Sequence, residues 1–494
     1  MTEQMQVAVL GAGFGGLAAA HALAQVGIDD VVIFERSTGV GGVWRANTYP
    51  GAACDVPSHL YSLSYAPNPY WSRTYATQPE ILAYVEDCYA RFDLRRKVRT
   101  ATEIVSATWQ DEGRCWRLRD GNGVEYEAGV FLCAMGMIHT PAFPAIAGME
   151  DFAGTAFHSG HWNHDHDLSG RRVAVIGTGA TSVQIVPAIA DAAERVVVFQ
   201  RTPAWIVPRR DEPFTEAQKA QFAAEPEVAR RLRDELHVLF ESNLSFLRGD
   251  PSGTALARVC TEYLDHKVVD PALRAKLRPG YPVGCKRTLI SSAFYAALQR
   301  DDVELVTEAI ERVTADGIRT VDGVERDCDT IVWSTGFRAT EYLRGVEVTG
   351  IGGQDLHQKW DGVPRAYHGM AVPGFPNFFM LYGPNTNQGG NSIILMLEAQ
   401  AGFIADALAT MEASGATEVE VTEEAMDRYT TELLTNLDKT VWTDGCDSYF
   451  RTAGGDVVTQ IPHTSSWYRD RLSHFPAKDF HLAVGSASVP RSSP

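Results

Sequence analysis

Two residues of opposite charge occupy matching positions in separate parts of the chain. Glu35 and Arg201 each stand twenty-four residues after the first glycine of a glycine-rich turn, just past a run of apolar residues. In a unit that binds a dinucleotide, this position faces the adenosine ribose. A carboxylate there accepts from a free 2′-hydroxyl, whereas a guanidinium suits a 2′-phosphate. The pair therefore predicts two different dinucleotides on one chain, which indicates redox chemistry.

The elements that would position these residues are two strand–turn–helix units. The turns are Gly11-Ala-Gly13-Phe-Gly15-Gly16 and Gly177-Thr-Gly179-Ala-Thr-Ser182, and they follow the apolar runs Val7 to Leu10 and Val173 to Ile176. Glycine lets the backbone approach a pyrophosphate, and the N-terminus of the next helix offers unpaired N–H groups. A turn kept only for packing is the alternative. The shared strand, helix and ribose position favour the dinucleotide interpretation.

The bulk composition is that of a globular enzyme with more than one domain. The 494 residues are enough for two or three buried cores, and 44 basic against 62 acidic residues give a net charge of −18. This charge argues against a nucleic-acid partner and an anionic membrane surface. No uninterrupted apolar run reaches the ~18 residues that span a bilayer, and the N-terminus lacks a signal-peptide pattern. We therefore predict no nucleic-acid or membrane partner and a cytoplasmic location.

Neither the cysteines nor the histidines form a recognisable motif. The eight cysteines are scattered without a C-x-x-C pair, which predicts reduced thiols and argues against a flavin disulfide reductase. The histidines and aspartates between His158 and Asp167 are residue types that suit zinc, but their spacing fits no standard motif. We therefore predict no metal site.

Three further stretches resemble one family. Gly41-Gly-Val-Trp-Arg-Ala-Asn-Thr-Tyr-Pro-Gly-Ala-Ala-Cys-Asp55 resembles the GGxWxxxxYPGxxxD signature of the type I Baeyer–Villiger monooxygenases. Phe152-Ala-Gly-Thr-Ala-Phe-His-Ser-Gly-His-Trp162 resembles their FxGxxxHxxxW fingerprint, and Gly284-Cys-Lys-Arg287 resembles the segment with their catalytic arginine. Two departures are Asn163, where the fingerprint closes with Pro or Asp, and the looser segment Cys446-Asp-Ser-Tyr-Phe450. The resemblance covers nearly the whole chain.

The resemblance implies an enzyme that uses FAD, NADPH and O₂ to convert a ketone to an ester or lactone. In this family NADPH reduces the flavin, which captures O₂ as a C4a-peroxide that attacks the ketone. The peroxide must stay deprotonated, which requires a positive neighbour that does not give up a proton. Arg287 is therefore the predicted catalytic residue. Asp55 would pair with Arg287 and fix its position through a charge-assisted hydrogen bond.

The other predicted site residues bind the two cofactors. Lys286 resembles the family's second contact to the 2′-phosphate, beside Arg201 and Thr202. Trp44 and Tyr61 are candidates for lining the FAD site, with core packing as the alternative for both rings. On the FAD side the predicted set is Gly11, Gly13, Phe14, Gly15, Gly16, Glu35, Gly42, Val43, Trp44, Asp55 and Tyr61, and on the NADP side it is Gly177, Thr178, Gly179, Ala180, Thr181, Ser182, Gln184, Arg201, Thr202 and Lys286.

The predicted fold class is α/β, with two Rossmann-like dinucleotide-binding domains and a helical insertion in the NADP domain. The insertion is expected because the composition between 212 and 276 is charged and helix-favouring. His158 and Trp162 would serve the linker between the domains and couple domain rotation to cofactor position. The predicted limits are 1–142 and 366–494 for the FAD-binding domain, 150–210 and 286–360 for the NADP-binding domain, 211–285 for the insertion, and 143–149 and 361–365 for the linkers.

Two other functions stay open at this point. One is a flavin monooxygenase that oxygenates amine nitrogen or sulfide sulfur, from which Asp55 and Trp162 separate the resembled family. The other is a flavin- and NADP-binding sensor without turnover, against which the presence of both Asp55 and Arg287 argues. The sequence does not choose the ketone or the selectivity, and a homo-oligomer stays open as well.

Overall fold

The two glycine turns lie at the carboxyl ends of central strands of two separate sheets, and each of these strands pairs in parallel with both of its neighbours. The structure is a computed structural model that describes residues 2–485. The strand before the first turn, β1 (Glu3–Leu10), is buried from Met5 onwards. Its alternate side chains enter different cores, Val7 on one face of the sheet and Ala8 on the other, as the two-residue period of a strand requires.

The first sheet is built mainly from the N-terminal third of the chain. Its strand order is β17-β4-β5-β6-β1-β2-β3, and β18 pairs in parallel with the carboxyl half of β6. Strands β2 and β6 flank β1 in parallel, whereas β4, β5 and β6 form an antiparallel meander. The other strands of this sheet are β2 (Val31–Phe34), β3 (Val98–Arg99), β4 (Ile104–Gln110), β5 (Cys115–Asp120), β6 (Glu125–Cys133), β17 (Glu347–Thr349) and β18 (Phe378–Met380).

The second sheet is parallel throughout, in the order β12-β9-β8-β16-β7. Its strands are β7 (Thr155–His158), β8 (Arg172–Ile176), β9 (Arg195–Phe199), β12 (Val303–Val306) and β16 (Thr330–Trp333). Two sheets whose central strands pair in parallel, each with a glycine turn at the end of such a strand, confirm the predicted α/β class. The smaller sheets pair β10 (Ile206–Val207) with β11 (Leu289–Ile290), β13 (Ile310–Val313) with β14 (Gly317–Thr320) and β15 (Glu325–Asp327), and β19 (Glu418–Val421) with β20 (Phe480–Ala483).

Helices cover the sheets, and α1 and α4 begin within the two glycine-rich turns, at Phe14 and at Ser182. Helix α11 packs against α1 on the first sheet, and α4 packs against α9 on the second. The helices are α1 (Phe14–Gln25), α2 (Val43–Ala46), α3 (Gln78–Arg91), α4 (Ser182–Ile189), α5 (Glu216–Ala224), α6 (Pro226–Glu241), α7 (Pro251–Lys267), α8 (Pro271–Leu277), α9 (Phe294–Ala297), α10 (Leu356–Trp360), α11 (Ile393–Ala413), α12 (Glu423–Leu437) and α13 (Ser465–Arg471).

The packing of two segments differs from the predicted domain limits. Strand β17 pairs with β4 of the first sheet, and Leu356 and Trp360 of α10 lie in the core of that sheet, although we assigned them to the NADP domain. The insertion is also divided. Phe240 of α6 packs on the first core, whereas Leu264 of α7 belongs to the core of the second sheet. Composition predicted the helices but not the surface on which each one packs.

Within residues 2–485, α11 is the one helix that is long and apolar enough to cross a membrane by length and composition. Its most apolar window has a mean hydropathy of 1.5. Most of that window is buried, and side chains such as Ile394, Met396 and Phe403 belong to the first core. A core helix passes the same test, and the burial of α11 between α1 and α13 accounts for its apolar character.

A candidate active site between two nucleotide-binding units

The first glycine turn has room only for glycine at its two ends. Gly11 has φ +105°, and a Cβ on it would lie 2.8 Å from the carbonyl oxygen of Ala134, just after β6. A Cβ on Gly16 would lie 2.1 Å from the carbonyl oxygen of Gly11. The N-cap residue of α1, Gly13, makes no side-chain cap. The helix N-terminus is thus left to present its N–H groups and positive dipole end to a pyrophosphate.

The carboxylate of Glu35 is fixed beside this turn. Its Oε2 accepts from the Ala12 backbone N–H at 2.9 Å, and its Oε1 accepts from the Ser37 backbone N–H at 2.8 Å. The side chain is buried at the end of β2. A carboxylate held by two backbone donors is rigid, and its remaining lone pairs suit the hydroxyls of a ribose.

The second turn repeats this geometry. Gly177 has φ +110°, and a Cβ on it would lie 2.5 Å from the Ser334 carbonyl oxygen, just after β16. Ser182, which replaces the third glycine, is fully buried at the start of α4. The Thr178 hydroxyl donates to the Thr202 carbonyl oxygen at 3.2 Å, which ties the turn to the segment after β9.

Arg201, at the predicted ribose position of the second unit, lies close enough to Lys286 for the two charges to interact. Arg201 is exposed, and Lys286 is half-buried with its Nζ 5.1 Å from the centroid of the Tyr281 ring. Burial lowers the pKa of Lys286, and repulsion from Arg201 lowers it further, while Asp447 acts in the opposite direction. Two positive groups close enough to repel each other form a site that a 2′-phosphate would neutralise.

Asp55 and Arg287 form the ion pair that the sequence analysis expected. Arg287 Nε donates to Asp55 Oδ2 at 2.7 Å, and Arg287 Nη1 lies 3.4 Å from the carbonyl oxygen of Gly389. The charge of Asp55 raises the pKa of Arg287 despite partial burial. Burial alone would raise the pKa of Asp55, but the charge and hydrogen bond of Arg287 outweigh it and lower that pKa. Both partners therefore stay charged.

The loop that carries the first family signature lies against the first turn. A Cβ on Gly42 would lie 3.0 Å from the Cα of Gly13. Trp44 Nε1 donates to the Tyr61 hydroxyl at 3.1 Å, and the Tyr61 ring meets Phe14 edge-on at 5.6 Å. Burial raises the pKa of Tyr61 well above its usual range. Of the other predicted residues, Gly15 lies in α1 and Val43 in α2, whereas Gly179, Ala180 and Thr181 lie in the second turn, before α4.

Gln184 connects the two units through both ends of its side-chain amide, and its contact with the cofactor stays a prediction. Its Nε2 donates to the Ala53 carbonyl oxygen at 3.0 Å, and its Oε1 accepts from the Tyr49 hydroxyl at 3.0 Å. A Cβ on Gly51 would lie 2.7 Å from the Gln184 carbonyl oxygen. The amide is thus engaged by the signature loop that leads to Asp55.

The segment after β18 supplies site residues that the sequence analysis missed. Tyr382 has φ +61°, and its hydroxyl donates to Asn387 Oδ1 at 2.7 Å. Burial raises the pKa values of Tyr382 and Tyr449, while the charge of Arg287 lowers both, so both phenols lie within reach of that charge. An aromatic residue with positive φ is rare and marks a backbone held in place by its surroundings. The Gly383-Pro384-Asn385 turn at the end of a strand was the available signal.

The prediction of eight reduced thiols was wrong for one pair. Cys285 and Cys446 form a disulfide with a Cα–Cα distance of 5.7 Å and a sequence separation of 161 residues. The Trp442 indole N–H donates to the Gly284 carbonyl oxygen at 2.9 Å beside it. Sequence spacing could not reveal this pair because only the fold brings the two segments together.

The family fingerprint forms the edge strand β7 and the turn after it. His158 is buried, its Nε2 lies 2.9 Å from the Gly336 carbonyl oxygen, and its Nδ1 accepts from the Gly160 N–H at 3.0 Å. Trp162 packs edge-on against Phe157. Over residues 2–485, no three or more His, Cys, Asp or Glu side chains are grouped so that they could hold a metal ion.

Comparisons with known proteins agree with this geometry. Residues 4–216 match the model of the flavin-binding monooxygenase-like family. A Baeyer–Villiger monooxygenase of Pseudomonas aeruginosa is 41% identical over 97% of this chain and 92% of that protein. One of Streptomyces coelicolor is 40% identical over 94% and 90%.

Solved structures extend the likeness to the whole fold. A steroid monooxygenase bound to NADP matches with a TM-score of 0.87 and 33% identity, covering 98% of this chain and all of that one. Cyclohexanone monooxygenase from Rhodococcus sp. Phi1, bound to NADP⁺, matches with a TM-score of 0.89 and 30% identity over 98% of this chain and all of that one. With two nucleotide units joined through an Asp55–Arg287 ion pair and full-length relatives of this identity, the chain belongs to the type I Baeyer–Villiger monooxygenases, within the flavin-binding monooxygenase-like family.

Proposed function

We propose that this FAD-containing, NADPH- and O₂-dependent monooxygenase converts a ketone to an ester or lactone at the Asp55–Arg287 ion pair. The observation that carries the proposal is that pair, because its members come from different units and meet at 2.7 Å. A charge fixed at the junction of two nucleotide units lies where both cofactors and a substrate can meet. Solved cyclohexanone monooxygenases have been crystallised with cyclohexanone and with ε-caprolactone, which supports the ketone class but names no ketone for this chain.

The residues of the first unit fit FAD. The cradle at Gly11 and Gly16, which a Cβ would fill, would take the pyrophosphate, and Glu35 would accept from the adenosine ribose. Trp44 and Tyr61 would line the neighbouring wall. Bound FAD supplies the electron transfer and the activation of O₂.

The residues of the second unit fit NADPH. Gly177 and the N-terminus of α4 would hold the pyrophosphate, while Arg201 and Lys286 would bind the 2′-phosphate. The lowered pKa of Lys286 would return towards its ordinary value when a phosphate offsets the repulsion from Arg201. This arrangement distinguishes NADPH from NADH by charge.

Arg287 would stabilise the negative oxygen that develops when the ketone carbonyl is attacked. Asp55 and Gly389 engage two of its five N–H groups, which leaves others to donate to an oxyanion. Because its pKa is raised, Arg287 stays protonated and does not quench an anionic nucleophile. Asp55 acts as a positioning residue that fixes the guanidinium plane.

The proposal is tested with the purified holoenzyme and a panel of cyclic, linear, aryl and steroidal ketones under ¹⁸O₂. We expect NADPH consumption to rise with at least one ketone and its ester to carry one ¹⁸O atom. Sulfoxide or N-oxide formation with every ketone left unchanged would contradict the proposal. Cytoplasmic location and oligomeric state stay predictions.

A further inference from the structure

We propose that Cys285 and Cys446 form a reversible thiol–disulfide site that fastens the Arg287 segment to the C-terminal segment beside it. The importance of this site for turnover rests on the function proposed for Arg287. Its chemistry does not, because the disulfide can be measured without any substrate.

The disulfide joins two segments that carry groups of the site. Cys285 directly precedes Lys286 and Arg287. Cys446 begins the segment that contains Tyr449, a phenol close to Arg287. The bond therefore joins residues that are 161 positions apart in the sequence, of which Cys285 stands next to Lys286 and Cys446 leads to Tyr449.

The two segments come from opposite sides of the junction. Trp442 and Phe450 belong to the core of the first sheet, whereas Leu289, just after Arg287, belongs to the core of the second. Besides the disulfide, the Trp442 indole bonds to the Gly284 carbonyl oxygen. The covalent bond thus limits how far the Arg287 segment can move from the first unit.

The surroundings of Cys285 and Cys446 favour thiol–disulfide exchange more than the surroundings of the other cysteines do. Lys286 and Arg287 follow Cys285, and neighbouring cations stabilise the thiolate that performs exchange. At five other cysteines burial is the largest influence and raises the pKa of the thiol. They are Cys54, Cys88, Cys133, Cys260 and Cys328.

The structure accommodates both oxidation states. Cys446 Sγ lies 3.0 Å from the Cys285 carbonyl oxygen, which gives the thiol of the reduced state an acceptor. Both cysteines are buried, but Cys446 lies in an irregular segment between exposed Gly445 and Asp447, so a local opening admits a small thiol. A dithiol reduces the pair by giving two electrons and two protons: the Cys285–Cys446 S–S bond breaks to leave two protein thiols, and the dithiol becomes its cyclic disulfide.

Reduction loosens the segment that carries Lys286 and Arg287, so both cations must be ordered again when NADPH and ketone bind. We expect the KM for NADPH to rise about three- to tenfold, the range for immobilising one or two long side chains on binding. We also expect more NADPH to be consumed per ester formed. Oxidation by the disulfide form of the dithiol restores both values.

The experiment equilibrates the holoenzyme with dithiothreitol buffers of fixed reduced-to-oxidised ratio. Thiols are trapped with acid, alkylated after denaturation and located by peptide mass, while parallel samples are assayed for NADPH KM and ester yield. We expect residues 285 and 446 to become alkylated together and the kinetic change to follow the same curve. Alkylation of both in the most oxidising buffer, or their reduction without any kinetic change, would overturn the proposal.

Two variants sharpen the test. Cys446→Ser should show the kinetics of the reduced enzyme in every buffer, whereas Cys260→Ala, which removes a remote buried thiol, should keep the redox response. If Cys446→Ser does not fold, the wild-type titration decides alone. Absence of ester in every redox state would refute the proposed function, while the peptide masses would still decide whether the disulfide forms.

Discussion

The Asp55–Arg287 ion pair predicts that substitutions at its two members do not act independently. Arg287→Ala removes the charge expected to stabilise the oxyanion and leaves a partly buried carboxylate unpaired. A hydrogen bond between charged groups contributes about 1.5–3 kcal/mol. Loss of one such bond in the transition state lowers kcat/KM for the ketone by roughly ten- to 150-fold. Asp55→Ala should reach a similar loss, because a guanidinium without its partner samples other positions.

The double variant distinguishes positioning from a separate role for Asp55. If Asp55 works only through Arg287, then Asp55→Ala made in the Arg287→Ala background should change kcat/KM by no more than about twofold, the scatter usual for independent sites. Asp55→Asn keeps an acceptor for Arg287 Nε but loses the charge, so its loss should be intermediate.

The assay measures ester by gas chromatography and NADPH by absorbance in the same reaction, so that coupling and rate are separated. A matched control is the pair Arg300–Asp302, joined at 2.8 Å on the exposed surface. Arg300→Ala and Asp302→Ala should leave kcat/KM within about twofold of the wild type. Additive losses at Asp55 and Arg287, or wild-type ester formation by Arg287→Ala, would refute the assigned roles.

Three further predictions concern cofactor choice, the junction and acid stability. Arg201→Ala and Lys286→Ala should each raise the KM for NADPH about tenfold with no comparable change for NADH, measured by initial rates, because each removes a charge-assisted contact to the 2′-phosphate. Gly51→Ala should cost about 1–3 kcal/mol of unfolding free energy in a denaturant titration, because its Cβ would lie 2.7 Å from a carbonyl oxygen of the second unit. Burial lowers the pKa of His368 to about 3. Since the unfolded histidine protonates near ~6.5, this residue makes stability fall as the pH drops below that value, by about 1.4 kcal/mol per pH unit. His368→Asn, which tolerates the φ of +47° at this position, should flatten the dependence of Tm on pH between ~7 and ~5.

Each of these has an outcome that would contradict it. An equal rise in KM for NADPH and for NADH would show that Arg201 and Lys286 do not bind the 2′-phosphate. The control for Gly51 is Gly402→Ala, at an exposed helix position with open space, where alanine should stabilise by about 0.5–1 kcal/mol; equal destabilisation by both would argue against the junction contact. An unchanged pH slope in His368→Asn would show that another group controls acid stability.

The parts of the fold that depend on local sequence patterns could be predicted from the sequence. The position of Glu35 at the end of β2 and of Gly11 after β1 follows from the alternation of apolar runs and glycine turns, which tertiary contacts do not alter. The pairing of Asp55 with Arg287 could also be expected, because each residue lies in its own family motif.

The contacts between distant segments could not be predicted from the sequence. The disulfide between Cys285 and Cys446 depends on the fold bringing distant segments together. The engagement of Gln184 by Tyr49 depends on how the two units face each other, and α6 and α7 have similar compositions although they pack on different cores. Local sequence patterns predict whether a segment forms a helix or a strand, but the surface on which that element packs depends on the complete fold.

The late pairing of β18 with β6 sets the order in which a newly made chain can complete its parts. Every strand of the second sheet lies between residues 155 and 333, so that sheet can close while the ribosome is still adding the C-terminal region. In the first sheet the carboxyl half of β6, from Phe131 to Cys133, gains this neighbour only after Met380 has emerged. The first sheet, whose central strands are synthesised first, is thus completed after the second sheet. A nascent chain stopped between the two events presents an open apolar strand edge, the kind of surface that chaperones protect.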